Sequence, residues 1–458
     1  MNAQKKKRLI IDIIALVVLA VILGVTMIWS RAIEEKLGLL YYAEVEEPDD
    51  ENVSGEGEEG EEIDYSSYPQ MYVHFVDVGQ GDCAIIELPD GKTVLIDGGE
   101  RGGGVETAIQ TFINNNFGSD FKYFDYAILT HPDSDHCGSF DYVLNKYPAR
   151  VSYRPNVEAK GTSSKPYTDP GKTDLKGGAI EKSSVEYADA IKAMYEPAAA
   201  HDFTPEVRVT DPAVDNYTIS GGSGEGEYSL TFYSPLSYKY GTKESNASWN
   251  DYSPIMILEY QGFRFAMSGD AEEKNLGEFV AKVRTAKNDG VDDKYDVFTD
   301  DYTVNVIKAG HHGSHNATTT EYLEAITTDA GAKSVYTVIS CGAGNKYGHP
   351  HDEALNRYYA VGVKEENILR TDLLGDITFS VRVNEQGVYN LFYGDKATKP
   401  IKLALVYKTV GPIELRWALV AWVGFAVIVG LSLIYVFVIS GDGGKSGGRS
   451  NSGGGRRR

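Results

Sequence analysis

The stretch "LTHPDSDHCGS", Leu129 to Ser139, is the part of this chain that most strongly indicates its fold and chemistry. It places two histidines and two aspartates within six consecutive residues. These are His131, Asp133, Asp135 and His136. Charged groups this close together cost free energy when they are buried, unless something compensates them. A bound metal ion would do so, and we therefore expect a metal site whose remaining ligands come from elsewhere in the chain.

The composition excludes some classes of protein. The chain has 458 residues, enough for one large domain or two. It carries 44 lysines and arginines against 66 aspartates and glutamates, a net charge of −22. This balance argues against a general nucleic-acid-binding protein, because phosphate backbones attract basic surfaces. The three cysteines, Cys83, Cys137 and Cys341, are too few and too far apart to predict a disulfide framework or a zinc motif.

Both ends of the chain predict membrane helices. Residues 9–29 and 417–439 are almost entirely apolar, and each is long enough to cross a hydrocarbon core of roughly 30 Å as a helix. Basic residues lie on their outer sides, from Lys5 to Arg8 and in the tail after Lys445. By the positive-inside rule, both termini are cytoplasmic and the residues between the helices face outward. The alternative for the first segment is a cleaved signal peptide, but no small-x-small cleavage site follows it.

The expected domain plan follows from these two helices. A basic cytoplasmic segment, residues 1–8, precedes the first helix, and residues 30–67 connect that helix to the folded domain. The part from Glu44 to Asp64 has no basic residue and few apolar ones, which is typical of a disordered acidic linker. The folded domain is expected over residues 68–407. After the second helix, residues 440–458 form a cytoplasmic tail rich in Gly, Ser and Arg.

The domain between the helices has the pattern of an α/β fold. Short apolar runs that end at Gly or Pro-Asp-Gly predict strands, and longer amphipathic runs between them predict helices. Strands followed by helices indicate two sheets covered by helices. Residues about 150–225 do not fit this pattern. They are rich in Gly, Ser, Lys and Thr, and we expect them to form a surface insertion.

Two other predicted strands end in residues that bind metals. Asp270 follows a strand in "FAMSGDAEE", and His311 and His312 follow another in "IKAGHHGSHN". Loops at strand ends hold functional groups on a rigid scaffold. The expected ligand set is His131, Asp133, Asp135, His136, Asp270 and one of the paired histidines. Three imidazoles and three carboxylates suit two divalent ions roughly 3.5–4 Å apart, and a mixed set of this kind suits Zn²⁺ and Mn²⁺ alike.

Other carboxylates and the glycine-rich segments have simpler interpretations. Asp77, Asp82 and Asp97 are expected to fix loops or to orient ligands. The glycines of "DVGQGD" and "DGGERGGG" are turn formers. A phosphate-binding P-loop is not expected, because no Gly-Lys-Ser/Thr follows them.

Five segments of the chain resemble one protein family in their order and in their amino-acid sequences. They are "DVGQGDCAIIELPDGKTVLIDGG", "LTHPDSDHCGS", "MSGDAE", "VIKAGHHGSHNATT" and "GHPHDEAL". Together they are similar to the metallo-β-lactamase fold and, more narrowly, to the extracellular hydrolase domain of the ComEC/Rec2 DNA-uptake proteins. The resemblance implies an α/β fold, a metallo-β-lactamase-like αββα sandwich with a two-metal site at one edge of the sheets. In this chain, two single transmembrane helices would flank the sandwich.

The resemblance also implies how the ligands are divided. One metal is assigned His131 and Asp133, the other is assigned Asp135, His136 and His312, and Asp270 bridges the two. Asp133 stands where many members of the wider superfamily have histidine, and the ComEC-like branch also has aspartate there. His312 is the expected ligand of its pair because it matches the family's position, while His311 would bind a substrate oxygen. The two histidines could exchange these roles.

The expected chemistry is metal-assisted hydrolysis, in which two ions lower the pKa of a water and stabilise the oxygen that gains charge. The catalytic candidates are Asp135, His311 and His349. In the family resemblance, His349 of "NKYGHPH" lies beside the metals. It either protonates the leaving group or shapes its loop. A phosphodiester, in DNA or another molecule, is the favoured substrate because two-metal clamps fit in-line displacement.

Two other functions remain open at this stage. The protein could hydrolyse cell-wall or lipid phosphoesters at the membrane, with the same chemistry and a different pocket. It could instead be a non-catalytic surface module that binds metal or ligand without turnover. Basic residues between Arg150 and Lys182 would form a rim for DNA or an anionic wall polymer, or would simply be solvated. The membrane is the one partner that the sequence itself predicts.

Overall fold

The strands and helices follow one another much as the apolar pattern of the sequence predicts. The computed structural model describes residues 68–394, apart from 177–178, 211–217, 237–248, 290–293, 329–330 and 385–387, and the backbone of four short strands outside that range. The two predicted membrane spans and most of the acidic linker lie outside the described residues. Within the described part, no helix is long and apolar enough to cross a membrane.

The elements are numbered in chain order. The described strands are β1 Leu40–Glu44, β2 Met71–Phe75, β3 Ala84–Glu87, β4 Thr93–Ile96, β5 Phe124–Ile128, β6 Ala149–Arg154, β7 Val157–Lys160, β8 Ile180–Ser183, β9 Glu206–Val209, β10 Thr218–Gly221, β11 Tyr228–Phe232, β12 Met256–Tyr260, β13 Phe263–Met267, β14 Val306–Lys308, β15 Tyr336–Ile339, β16 Ile368–Arg370, β17 Ile377–Val383, β18 Tyr389–Tyr393, β19 Leu403–Tyr407, β20 Thr409–Val410 and β21 Ile413–Glu414. The described α-helices are α1 Gly103–Phe117, α2 Ser134–Cys137, α3 Phe140–Lys146, α4 Val185–Tyr195, α5 Glu273–Asp289, α6 Thr320–Ile326, α7 Asp352–Val361 and α8 Thr371–Leu374.

The chain divides into two units. Residues 50–400 form the larger unit, and residues 1–49 together with 401–458 form the other. In the smaller unit, β1 pairs antiparallel with β19, and β20 pairs antiparallel with β21. Strand β19 lies within the range 68–407 expected for the hydrolase domain, but its pairing partner is β1.

Two large sheets form the centre of the described part of the larger unit. The first has eight strands in the order β18-β17-β2-β3-β4-β5-β6-β9, and the second has seven in the order β10-β11-β12-β13-β14-β15-β16. Strands β4, β5, β6 and β9 are parallel neighbours in the first sheet. Strands β13 to β16 are parallel neighbours in the second. Because parallel neighbours point the same way, the loops that follow them meet at one edge of each sheet.

Three apolar layers hold the sheets and helices together. Phe75 of the first sheet and Phe265 of the second belong to the core between the sheets. Helices α1, α3 and α4 cover the first sheet, with Ile113 fully buried. Helices α5, α6 and α7 cover the second, with Phe279 and Tyr358 fully buried. Each such side chain contributes about 1.5–3 kcal/mol through burial. This arrangement confirms the predicted αββα sandwich.

The segment 150–225 differs from the surface insertion that we expected. Strands β6 and β9 belong to the eight-stranded sheet, and α4 buries Tyr187, Ile191 and Met194 in the core beneath it. Its strands are short and separated by polar loops, so the apolar pattern is too weak to reveal them. Between β6 and α4, the chain leaves the sheet and forms the small parallel pair β7–β8.

Candidate metal centre

The loops at the carboxyl ends of five strands carry the candidate site. Asp97 follows β4, residues His131 to His136 follow β5, Asp270 follows β13, His311 and His312 follow β14, and His349 lies in the loop after β15. The first two loops belong to one sheet and the other three to the second. The sandwich therefore brings together residues that lie far apart in the sequence.

Asp270 lies at the centre of these loops. Its Oδ1 is 3.1 Å from Nε2 of His136. Its Oδ2 is 3.8 Å from Nε2 of His131 and 3.6 Å from the Nε2 atoms of both His311 and His312. A buried carboxylate that faces imidazoles with both of its oxygens is well placed to bridge two cations.

The other two aspartates lie on different sides of this centre. Oδ2 of Asp135 is 3.2 Å from Nε2 of His312. Oδ2 of Asp133 is 3.8 Å from Nε2 of His131, and its Oδ1 is 2.6 Å from Nζ of Lys182. The structure therefore groups His131 with Asp133, and His312 with Asp135.

His131 and His136 are oriented through Asp97. Oδ2 of Asp97 accepts a hydrogen bond from Nδ1 of His136 at 2.8 Å and another from the Thr130 hydroxyl at 2.7 Å. The Thr130 oxygen lies 3.1 Å from Nδ1 of His131 and can accept its proton. A proton on Nδ1 leaves the Nε2 lone pair free, which is the tautomer that a metal ligand needs. Asp97 therefore acts as an orienting residue, as the sequence led us to expect.

His312 is oriented by a second group of residues. Its Nδ1 donates to the carbonyl of Ser340 at 2.9 Å and lies 3.2 Å from Oδ1 of Asp82. Asp82 belongs to a buried group of potential metal donors, with His136, Asp270 and His312, whose atoms lie within 4.8 Å of one another. However, it faces the Nδ1 side of His312, and Nζ of Lys308 holds its other oxygen at 2.8 Å. We therefore interpret Asp82 as orienting His312.

Sequence reasoning missed Lys308. This lysine ends the apolar strand β14 and is 94% buried, donating both to Asp82 and to the carbonyl of Ala309. Lysine is rarely buried without a charged partner. The sequence does contain a signal for this residue, because a charged side chain near the end of the apolar run "VNVIKA" indicates a buried, paired lysine.

Two buried atoms test whether a metal fits this site. Nε2 of His131 is buried and has no hydrogen-bond partner among the residues that the structure describes, and the buried Oδ1 of Asp270 makes no hydrogen bond of normal geometry, although Nε2 of His136 lies 3.1 Å away. Leaving such an atom without a partner costs about 1–3 kcal/mol. Imidazole nitrogens and carboxylate oxygens are ligands of zinc and manganese. The donor set therefore fits a divalent metal.

The electrostatics of the site also fit a cation. Burial alone would raise the pKa of Asp270, but the imidazoles of His136, His312 and His311 lower it well below its usual range. Burial alone would lower the pKa of His312, but Asp270 and Asp82 raise it to about 10. Positive charge on the imidazoles thus balances the buried carboxylates. A bound metal would take over this role by displacing those protons.

His311 and His312 share an unusual backbone. Their φ angles are 47° and 54°, in the left-handed region that non-glycine residues rarely adopt, and strain of this kind is concentrated at functional sites. His312 is buried, whereas the His311 side chain is 22% exposed and lines the cavity described below. Since both Nε2 atoms lie 3.6 Å from Oδ2 of Asp270, both histidines remain candidate ligands.

His349 approaches the site from the loop that follows β15. Its ring stacks on His312 with centroids 6.0 Å apart and lies 5.6 Å from the ring of His311. Asn345 fixes the loop, accepting from the His349 amide at 3.0 Å and donating to its carbonyl at 2.7 Å. Burial and the neighbouring imidazoles lower the pKa of His349 to about 4. This histidine is therefore neutral at pH 7, although an anionic substrate opposite the ring would raise its pKa.

A glycine allows the loop after β2 to approach the site. Gly81 of "DVGQGD" has φ +150°, and a Cβ there would lie 2.5 Å from the carbonyl oxygen of Asp135. The amide of the next residue, Asp82, donates to that same oxygen at 3.1 Å. The glycine thus permits a close backbone contact, in line with its interpretation as a turn former.

The site opens into a cavity of about 440 Å³. Its lining includes Asp133, Asp135, Asp270, His311, His349 and Lys182. The three catalytic candidates, Asp135, His311 and His349, therefore share one cavity with two further predicted ligands, Asp133 and Asp270.

The chain is similar in part to several known proteins. Residues 76–235 match the family model of the metallo-beta-lactamase superfamily. Over 332 residues the chain is 23% identical to the ComE operon protein 3 of Bacillus subtilis, covering 70% of this chain and 34% of that protein. Over 96 residues it is 33% identical to the competence protein ComA of Neisseria gonorrhoeae, covering 20% and 13%. A solved structure of a CmlA β-hydroxylase mutant aligns over 68% of this chain and 54% of that one, with 13% identity and a TM-score of 0.34.

The two helix-covered sheets and the buried donor set describe a metal-binding αββα domain, and its residues 76–235 are similar to the metallo-β-lactamase superfamily. More particularly, this domain resembles the corresponding part of the ComEC-type proteins, which confirms the resemblance found in the sequence motifs. The chain spans about a third or less of the length of the curated relatives it matches.

Proposed function

We propose that this protein is a metal-dependent phosphodiesterase that acts on DNA or another phosphodiester. Two divalent ions, Zn²⁺ or Mn²⁺, would be held by His131, Asp133, Asp135, His136, Asp270 and His312. The observation that carries this proposal is the position of Asp270, whose two oxygens face imidazoles from both sheets.

The protein's own residues prepare this site for hydrolysis. When bound, the metals would supply a water of lowered pKa and stabilise charge on the phosphate. Asp97 and Asp82 keep the Nε2 atoms of the buried histidines directed inward. His311 and His349 face the cavity from two loops. A phosphate opposite His349 would raise the pKa of its imidazole and allow it to carry the proton that the leaving oxygen needs.

The choice of a phosphodiester rests on chemistry and on resemblance. Two cations flanking a bridging carboxylate suit in-line displacement at phosphorus. One of the relatives is named a competence protein, and the ComEC/Rec2 resemblance supports DNA as the polymer. The two apolar segments and their basic flanks further support a domain that is anchored in the cell membrane, faces outward and has both termini in the cytoplasm.

The function can be tested on the purified full-length protein loaded with zinc or manganese. We expect hydrolysis of bis-p-nitrophenyl phosphate and of single- or double-stranded DNA, and no hydrolysis of a lactam. Asp270→Asn should abolish activity, whereas Asp301→Asn, a change at an exposed carboxylate, should retain it. Activity on the small diester without activity on DNA would favour a wall or lipid phosphoester. Metal binding without any turnover would contradict the proposal and indicate a non-catalytic module.

A further inference from the structure

Lys182 brings an ammonium group to a cavity that is also lined by three aspartates and two histidines. Its Nζ lies 2.6 Å from Oδ1 of Asp133 and 3.6 Å from the centroid of the Trp249 ring. Among the described residues that line the cavity, Lys182 is the one lysine or arginine, while the carboxylates of Asp133, Asp135 and Asp270 line the same space. An anionic substrate that enters this cavity therefore meets one ammonium group, beside the imidazoles of His311 and His349.

The segment that carries Lys182 is fixed to the core. Lys182 lies on β8, which pairs with β7. Asp169, in the connection between these two strands, accepts hydrogen bonds from Arg154 at 2.7 and 2.6 Å and from the amide of Ala159 at 2.8 Å. The side chains of Arg154 and Asp169 are fully buried. Such a pair fixes its segment, because separating the two groups would leave a buried charge uncompensated.

The contacts of Lys182 leave the metal-facing side of Asp133 free. Lys182 binds Oδ1 of Asp133, while Oδ2 faces His131 at 3.8 Å. An ammonium group has three N–H donors. One points to Asp133, and the face of Trp249 holds the cation from another side through a cation–π contact. The lysine therefore retains the capacity to donate toward the cavity.

We propose that Lys182 is the anion-binding residue of this site, donating to a non-bridging oxygen of the substrate's phosphate group. This inference rests on the proposed function and deepens it. Lys182 would make the site select phosphate esters over uncharged esters, because its charge offsets the repulsion that the cavity's carboxylates exert on an anion. Trp249, 37% exposed at the rim, would keep the ammonium in place while the phosphate engages it.

Three variants of the full-length protein test this role. Lys182→Met keeps a long side chain against Trp249 but removes the charge, and Lys182→Arg keeps the charge. Lys172→Met is the matched control, because Lys172 lies on the same segment, is exposed and pairs with Glu158. For each we would measure kcat and KM with bis-p-nitrophenyl phosphate and with uncharged p-nitrophenyl acetate, the metal content, and calorimetric binding of inorganic phosphate to the metal-free protein.

We expect Lys182→Met to raise KM for the phosphodiester and to weaken phosphate binding, each by roughly 10- to 100-fold, the usual value of a hydrogen bond to a charged group. Metal content and KM for the acetate should not change. Lys182→Arg should recover most of the loss, and Lys172→Met should behave as the wild type.

If Lys182→Met and Lys172→Met have the same KM for the phosphodiester and the same affinity for phosphate, the inference is overturned. The inference is also overturned if Lys182→Met loses metal and loses activity equally on both substrates. Lys182 would then only hold Asp133 in place. If the wild type lacks phosphodiesterase activity, only the proposed function fails. Comparing phosphate binding by the wild type and by Lys182→Met still decides the role of Lys182.

Discussion

The Nε2 atoms of His136 and His312 lie 3.3 Å apart, although one residue follows a strand of the eight-stranded sheet and the other a strand of the seven-stranded sheet. Two imidazole nitrogens at this distance can share a proton or face a common cation. Their Nδ1 atoms are held by Asp97 and by the carbonyl of Ser340. The site therefore depends on the packing of the two sheets against each other.

The first prediction concerns the number of metals. Asp270→Asn should lose at least one of two bound ions, because the amide nitrogen that replaces one carboxylate oxygen is a donor and cannot bind a cation. Elemental analysis of the purified protein measures this, with the exposed Asp301→Asn as the control. One ion in the wild type and no change in Asp270→Asn would contradict the two-metal site.

The second prediction concerns Asp97, which does not face the centre itself. Asp97→Asn should weaken metal binding by roughly 10- to 100-fold, the usual effect of losing a group that orients a ligand. Asparagine tolerates the left-handed backbone at this position, where φ is 59°. However, its amide nitrogen cannot accept the hydrogen bonds of Thr130 and His136. Competition with a chelator measures the affinity.

The control for that variant is Asp77→Asn, at a carboxylate that accepts a hydrogen bond from the amide of Gly79. Asparagine can make the same bond, so metal affinity should not change. Equal affinities for the wild type, Asp77→Asn and Asp97→Asn would show that Asp97 is dispensable.

The third prediction separates a ligand from a catalyst. Asp135→Ala should lower both metal content and rate. His349→Ala should keep its metals and lose roughly 10²–10⁴ in rate, the usual value of a positioned general acid. The loss should be large for an alkoxide leaving group such as a sugar oxygen and small for p-nitrophenolate, which leaves without a proton. Equal losses with both leaving groups would instead make His349 a phosphate-binding residue, and no loss would leave it a loop-shaping residue.

The fourth prediction concerns the pH dependence of stability. Asp251 accepts hydrogen bonds from the amides of Glu272 and Asn275, and burial raises its pKa to about 6. The folded state therefore holds this proton more tightly than the unfolded state, whose carboxyl titrates near its usual value. The contribution of Asp251 to stability is highest below about pH 4 and falls as the pH rises to about 6.

Asp251→Asn can accept the same hydrogen bonds without this titration. Relative to the wild type, its free energy of unfolding should rise by on the order of 2–3 kcal/mol between pH 4 and pH 7. Urea denaturation of the metal-free proteins across this range measures the difference. A difference that does not vary with pH would show that Asp251 does not titrate there.

The fifth prediction concerns topology. Protease added to intact cells should cut between Glu44 and Asp64, while tags at both termini remain protected, because the basic flanks favour a cytoplasmic location. Immunoblotting against each tag after the treatment measures protection, and lysed cells provide the control. Loss of either tag in intact cells would refute the orientation.

Much of the fold and of the candidate site could be predicted from the sequence because the signals are local. Apolar runs of strand length and amphipathic runs of helix length reflect which face of each element is buried. Ligand-type residues directly after such runs, as at His131 and Asp270, indicate a site at strand ends. The prediction of a surface insertion over 150–225 was wrong, because strands as short as β9 leave no clear apolar pattern among polar loops.

The sequence by itself determined that two sheets are covered by helices and which types of residue the strand ends carry, because strand periodicity and side-chain chemistry belong to neighbouring residues. Only the tertiary structure decided which of those residues meet. It brought Lys182 to Asp133, 49 positions away, and Lys308 to Asp82, 226 positions away. It also placed the carbonyl of Ser340 within hydrogen-bond distance of Nδ1 of His312. No local pattern encodes such contacts, since they depend on how the two sheets pack and where their loops end.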